Sequence, residues 1–117
     1  ESHQFLSRKA ISILNKFELQ PDVQTSKYLV PRITNQHMNR TLKAIANKLN
    51  INIPVTSHSA RHTFRQLLDE ADIVDPTVIN KIMGWSGKKG MDSIYRRVTD
   101  SRLSKTKDQF EEFLNSL

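Results

Sequence analysis

His58 and Arg61 stand three residues apart, and positions i and i+3 are neighbours on the surface of any helix that carries them. An arginine so placed suits an anionic ester: a guanidinium is charged at any useful pH, and its planar fork holds two phosphate oxygens through charge-assisted hydrogen bonds. His58 can reach the same phosphate. Further along stand Trp85 and Tyr95. A free phenol ionises near pH ~10, so as a nucleophile it needs a base or cationic neighbours, and Arg61 and His58 are the candidates. Taken singly, each residue has a plainer account. His-x-x-Arg occurs often by chance, Tyr95 alone reads as a half-buried packing residue, and Trp85 reads as a core anchor after a helix stop. His62, adjacent to Arg61, turns to a different helical face and is expected to be a packed, hydrogen-bonded structural histidine. His58 and His62 have the i,i+4 spacing of zinc-binding pairs, but Ser59-Ala60-Arg61 between them lacks the metalloprotease glutamate and no third ligand is evident, so no metal site is assigned.

The elements that must position these groups follow from periodicity and from stop signals. Ser7 caps a first helix, about Ser7 to Leu19, with Ala10, Ile11, Ile13, Leu14 and Phe17 at helical spacing. Residues 20–34, with Pro21 and Pro31, read as a loop holding at most one short strand at Tyr28-Leu29-Val30. Thr34 or Asn35 caps a second helix with an apolar stripe of Met38, Leu42, Ile45, Ala46 and Leu49, ending near Asn50, and with Arg40, Lys43 and Lys48 on its other face. Ser57 is expected to cap the helix from His58 to about Glu70, which buries Phe64, Leu67, Leu68 and Ala71. Asp75-Pro76 restarts the chain as a short helix that Gly84 stops. Residues Gly84 to Gly90 read as a loop, Met91 to Val98 as a short helix, and Arg102 to Leu117 as a final helix with Leu103, Phe110, Phe113, Leu114 and Leu117 along one side.

The 117 residues suit one domain with a single modest core. The absence of cysteine excludes disulfides, thiolate metal sites and cysteine nucleophiles. No apolar run approaches the ~20 residues that span a bilayer, and the first residues lack a basic leader and an apolar core, so a cytoplasmic setting is expected. The net charge of +6 favours a polyanionic partner. It is concentrated N-terminally, with eight Lys/Arg against three Asp/Glu in residues 1–57.

The order His58-Ser59-Ala60-Arg61-His62-Thr63-Phe64, then Met83-Gly84-Trp85, then Tyr95 closely resembles the C-terminal signature of the tyrosine recombinase, or phage integrase, family. There a His-x-x-Arg-His-Thr-Phe helix precedes a short helix, a Leu-Gly-His-like turn that can end in Trp, and a Tyr about ten residues on. The likeness extends upstream through Tyr28-Leu29-Val30-Pro31 to Ala10–Phe17 and so covers nearly the whole chain. It implies a mainly α stretch of five or six helices, the helical C-terminal portion of an α+β catalytic domain, with the β-sheet largely absent here. It further implies site-specific DNA recombination without metal or nucleotide cofactor. Tyr95 would attack phosphorus to give a 3′-phosphotyrosyl link and a free 5′-hydroxyl. Arg61 would clamp the phosphate, whose added transition-state charge calls for preorganised donors. His58 would assist proton transfer, and Trp85 would contact the phosphate through its indole N–H or pack to hold the site. The family also uses an upstream arginine and a hairpin lysine. Neither is assigned to Arg8, Lys9 or any other residue here, so residues 1–117 are expected to be a partial catalytic domain, inactive or nearly so alone.

Lys88 and Lys89 are candidate contacts to the DNA backbone, against the plainer account of a solvated loop. The final helix, within residues 99–117, repeats Leu103, Phe110 and Leu117 every seven positions. Its apolar face needs a cover, either its own domain or, by family behaviour, a neighbouring protomer in an oligomer on double-stranded DNA, expected as a tetrameric synapse. Two other readings stay open. One is a non-catalytic helix-turn-helix module presenting Thr77, Asn80 and Lys81 to bases, which leaves Trp85 and Tyr95 without a role. The other is topoisomerase IB-like chemistry, which shares the phosphotyrosine strategy.

Overall fold

The computed structural model describes residues 5–25, 27–85 and 98–117. Among the described residues six helices follow in chain order: α1 (Arg8–Asn15), α2 (Pro21–Gln24), α3 (Asn35–Lys48), α4 (Ser57–Glu70), α5 (Pro76–Met83) and α6 (Asp100–Ser116). No strand occurs among the described residues, so the chain is mainly α, as its helical periodicities require. The β-prone Tyr28-Leu29-Val30 is a series of bends, and Pro21, at the first position of α2 where its missing N–H costs nothing, opens one helical turn in the expected loop.

Capping residues set most of the helix starts. Ser7 Oγ accepts from Ala10 N–H at 3.2 Å at the head of α1, Thr34 Oγ1 from His37 N–H at 3.2 Å at α3, and Thr99 Oγ1 from Arg102 N–H at 3.3 Å at α6. Asp75 Oδ1 accepts from Thr77 N–H at 2.9 Å and Val78 N–H at 3.4 Å at α5. α1 ends four residues before its expected limit of Leu19, because the chain tightens into three-residue turns, Lys16 N–H to Ile13 O at 3.1 Å and Phe17 N–H to Leu14 O at 2.9 Å.

Three helices end in one way. The described residues with positive φ are Asn50 (55°), Asp72 (59°) and Gly84 (65°), and each lies within two residues of the last residue of α3, α4 or α5. At each, the next N–H reaches back five residues: Ile51 to Ala46 O at 2.9 Å, Ile73 to Leu68 O at 2.9 Å, and Trp85 to Asn80 O at 2.9 Å. These are Schellman motifs, which satisfy carbonyls that a helix end would otherwise orphan. Glycine fills the left-handed position without strain at Gly84, whereas Asn50 and Asp72 use the side chains that best tolerate it.

The chain forms two compact units, one of Glu1–Ile11 with Arg65–Leu117 and one of Ser12–Phe64. The first holds most of the core: Leu68, Ala71, Ile73, Val78, Ile79, Met83, Leu103 and Phe110 are buried. α6 is fixed there by Gln109 Nε2 donating to Ala71 O at 2.7 Å, by the Arg102–Asp75 ion pair, and by Phe110 stacking at 6.3 Å on Phe5. Its inner face is therefore covered within its own unit, while Leu117 at its end is 77% exposed. In the second unit Ala46 is the one buried apolar residue among those described, and the α3 stripe leaves Met38, Ile45 and Leu49 exposed.

Candidate active site

The start of α4 is held by two kinds of contact. Thr56 Oγ1 accepts from Ser59 N–H at 3.1 Å while Ser59 Oγ accepts from Thr56 N–H at 3.2 Å, a reciprocal box that satisfies a donor on each side. Thr56 is thus the cap, not the expected Ser57. The reason is the third position: a hydroxyl at Ser59 answers Thr56, leaving Ser57 N–H to donate to Asn39 Oδ1 of α3 at 3.0 Å. The first turn of α4 is tied both to the chain before it and to a neighbouring helix.

His58 follows directly, with Arg61 one turn on, and both are exposed. At about 100° per residue, Arg61 lies roughly 60° round the helix from His58. His62 lies about 40° to the other side by the same geometry. It is exposed rather than packed, and its Nε2 is 2.9 Å from His58 Nε2, the rings nearly perpendicular at 88° with centroids 4.4 Å apart. Relative to its neighbour Arg61, His62 does turn to a different face, as the sequence predicts. The informative interval is the four residues back to His58, since i and i+4 side chains meet on a helix. The structure therefore brings His58, Arg61 and His62 together on one helical surface.

Trp85 lies in the other unit, on the residue that completes the Schellman motif of α5. Its backbone N–H is committed to Asn80 O, which fixes where the residue leaves the helix, and the residue is 46% exposed. Tyr95, Lys88 and Lys89, and the helix expected from Met91 onward, fall outside the described residues.

A groove of about 770 Å³ lies in the second unit between α3 and the strand-less segment before α4, with Arg40, Lys43, Asn47, Ile51, Ile53 and Thr56 on its walls. Its two cations, Arg40 and Lys43, belong to the N-terminal positive excess, while Ala46, Ile51, Ile53, Pro54 and Val55 make much of its wall apolar. Among the described residues no group of three or more His, Cys, Asp or Glu side chains could hold a metal ion, and no helix is long and apolar enough to cross a membrane.

No curated protein and no solved structure matches the chain. A model of the phage integrase family matches residues 6–102, which takes in α1 to α5, the His58–Arg61 helix, the Gly84-Trp85 turn and Tyr95. The chain belongs to the phage integrase family.

Proposed function

We propose that the protein cuts and rejoins DNA at specific sites as a tyrosine recombinase, with Tyr95 as nucleophile, Arg61 as phosphate clamp, His58 as proton-transfer group and Trp85 as a support that contacts the phosphate. Family membership supports site-specific DNA recombination in general and DNA as the partner. The observation that carries the finer reading is the surface of α4. His58 and Arg61 lie exposed together on a helix start fixed by the Thr56–Ser59 box and by Asn39, so a phosphodiester can approach a guanidinium and an imidazole already positioned. The clamp would stabilise the charge that builds on the non-bridging oxygens, and the phosphotyrosyl link would conserve the bond for rejoining. The upstream arginine and lysine of the family have no assigned counterpart in residues 1–117, so this stretch alone is expected to cleave little or nothing. Assembly on DNA is proposed as a tetramer. With the inner face of α6 already covered, the exposed end around Leu117 is the part open to a neighbouring protomer.

The helix-turn-helix alternative draws less support. Its reading helix would be α5, eight residues long, on which Thr77, Asn80 and Lys81 are all half-buried rather than presented to a groove. Tyr95→Phe in the full-length protein separates the two readings. A recombinase keeps DNA affinity and loses covalent capture, whereas a binding module loses nothing.

A further inference from the structure

We propose that His62 is the proton-accepting partner of His58, so that the two imidazoles form a relay from the reacting hydroxyl to bulk water. This rests on the reading of His58 as a proton-transfer group and extends it to a residue with no role in that reading.

The geometry carries the inference. The Nε2 atoms of His58 and His62 are 2.9 Å apart, a hydrogen-bond distance, and only one of two facing nitrogens can hold the proton between them. In the neutral pair the two rings must therefore be opposite tautomers. With the shared proton on His58 Nε2, His58 Nδ1 is a lone pair ready to accept, and His62 carries its own proton on Nδ1 of an exposed ring. A hydroxyl that gives its proton to His58 Nδ1 lets the Nε2 proton pass to His62 Nε2, and His62 releases its Nδ1 proton to water. One O–H bond breaks, one proton reaches solvent, and both rings end neutral with exchanged tautomers. The hydrogen bond between them persists with its direction reversed. Run backwards, the same sequence returns a proton to the phenol oxygen when the 5′-hydroxyl displaces it, which suits a reaction that must rejoin what it cuts. The arrangement depends on the i,i+4 spacing on α4 alone.

The test is single-turnover cleavage of nicked target DNA by the full-length protein, comparing wild type with His62→Ala, His62→Gln and His58→Ala, each with and without free imidazole, and measuring DNA affinity in parallel. Glutamine can hold a hydrogen bond to His58 but cannot pass a proton. Both His62 variants are expected to cleave roughly tenfold more slowly with unchanged affinity, less than the ~10²–10⁴ that a positioned base contributes because His58 itself remains, and imidazole should restore most of the rate because His62 is exposed. A wild-type rate in either His62 variant, or a slow rate that imidazole leaves untouched, overturns the relay while a slow His58→Ala leaves the reading of His58 standing. A wild-type rate in His58→Ala overturns both.

Discussion

Asp75 does two things with its two oxygens, and the structure allows their contributions to be separated. Oδ1 caps α5 by accepting from Thr77 and Val78 N–H, and Oδ2 pairs with Arg102 of α6. Replacing an aspartate cap by alanine costs about 1 kcal/mol, within a range of ~0.5–2. The ion pair is worth less, because the Asp75 and Arg102 side chains are 41% and 37% exposed, and solvent screening holds such pairs to a few tenths, at most ~1 kcal/mol. Asp75→Ala loses both and should destabilise by roughly 1.5 kcal/mol. Asp75→Asn keeps an accepting oxygen but loses the charge, and with it the ion pair and the favourable anion at a helix N-terminus, for about 0.5–1 kcal/mol. Arg102→Ala loses the pair alone, about 0.3 kcal/mol. Urea unfolding of the three variants at constant m-value reads these differences directly. If Arg102→Ala cost as much as Asp75→Ala, the ion pair and not the cap would hold this corner, and the argument from solvent exposure would be wrong.

Leu68 has no exposed surface, so Leu68→Ala should cost about 2–5 kcal/mol in the same unfolding assay, and a loss under 1 kcal/mol would mean that the α4 face is loosely packed. A Cβ at Gly84 would meet nothing within 4 Å, so Gly84→Ala should cost only the left-handed backbone strain, about 1 kcal/mol, with Gly84→Asn costing less; equal losses would point to a steric cause instead. If Arg40 and Lys43 each neutralise a phosphate, replacing both by alanine should flatten the slope of log K against log salt by about 1.8 for duplex DNA, and an unchanged slope would remove the groove from the interface. Arg61→Lys should slow cleavage by roughly 10²–10³, because a point charge cannot reproduce the two-oxygen fork, and near-normal rates would argue against a clamp.

Signals confined to a few consecutive residues were the most legible in the sequence. Asp75-Pro76 and Gly84 bracket α5 to the residue, and Leu68, Ala71, Leu103 and Phe110 are buried as their spacing requires. Capping at α4 was off by one because Ser57 and Thr56 are both good caps, and the choice depends on whether the third helical position can answer. The α3 stripe was read correctly as helical, but its burial was not legible, since Met38, Ile45 and Leu49 need a covering surface that periodicity cannot supply. At the site, the spacing of His58 and Arg61 was enough to place them on one face. The partnership of His62 lies in the same seven residues, in an i,i+4 interval that suits a hydrogen-bonded pair as well as a metal pair.

The central claim is that one phenol in this chain becomes covalently joined to DNA. Incubating the full-length protein with target DNA nicked close to the cleavage position traps that intermediate, and digestion followed by mass spectrometry locates the modified residue. The account predicts a 3′-phosphate carried on the peptide containing Tyr95 and no adduct from the Tyr95→Phe protein. An adduct on Tyr28, or one that survives Tyr95→Phe, would contradict it.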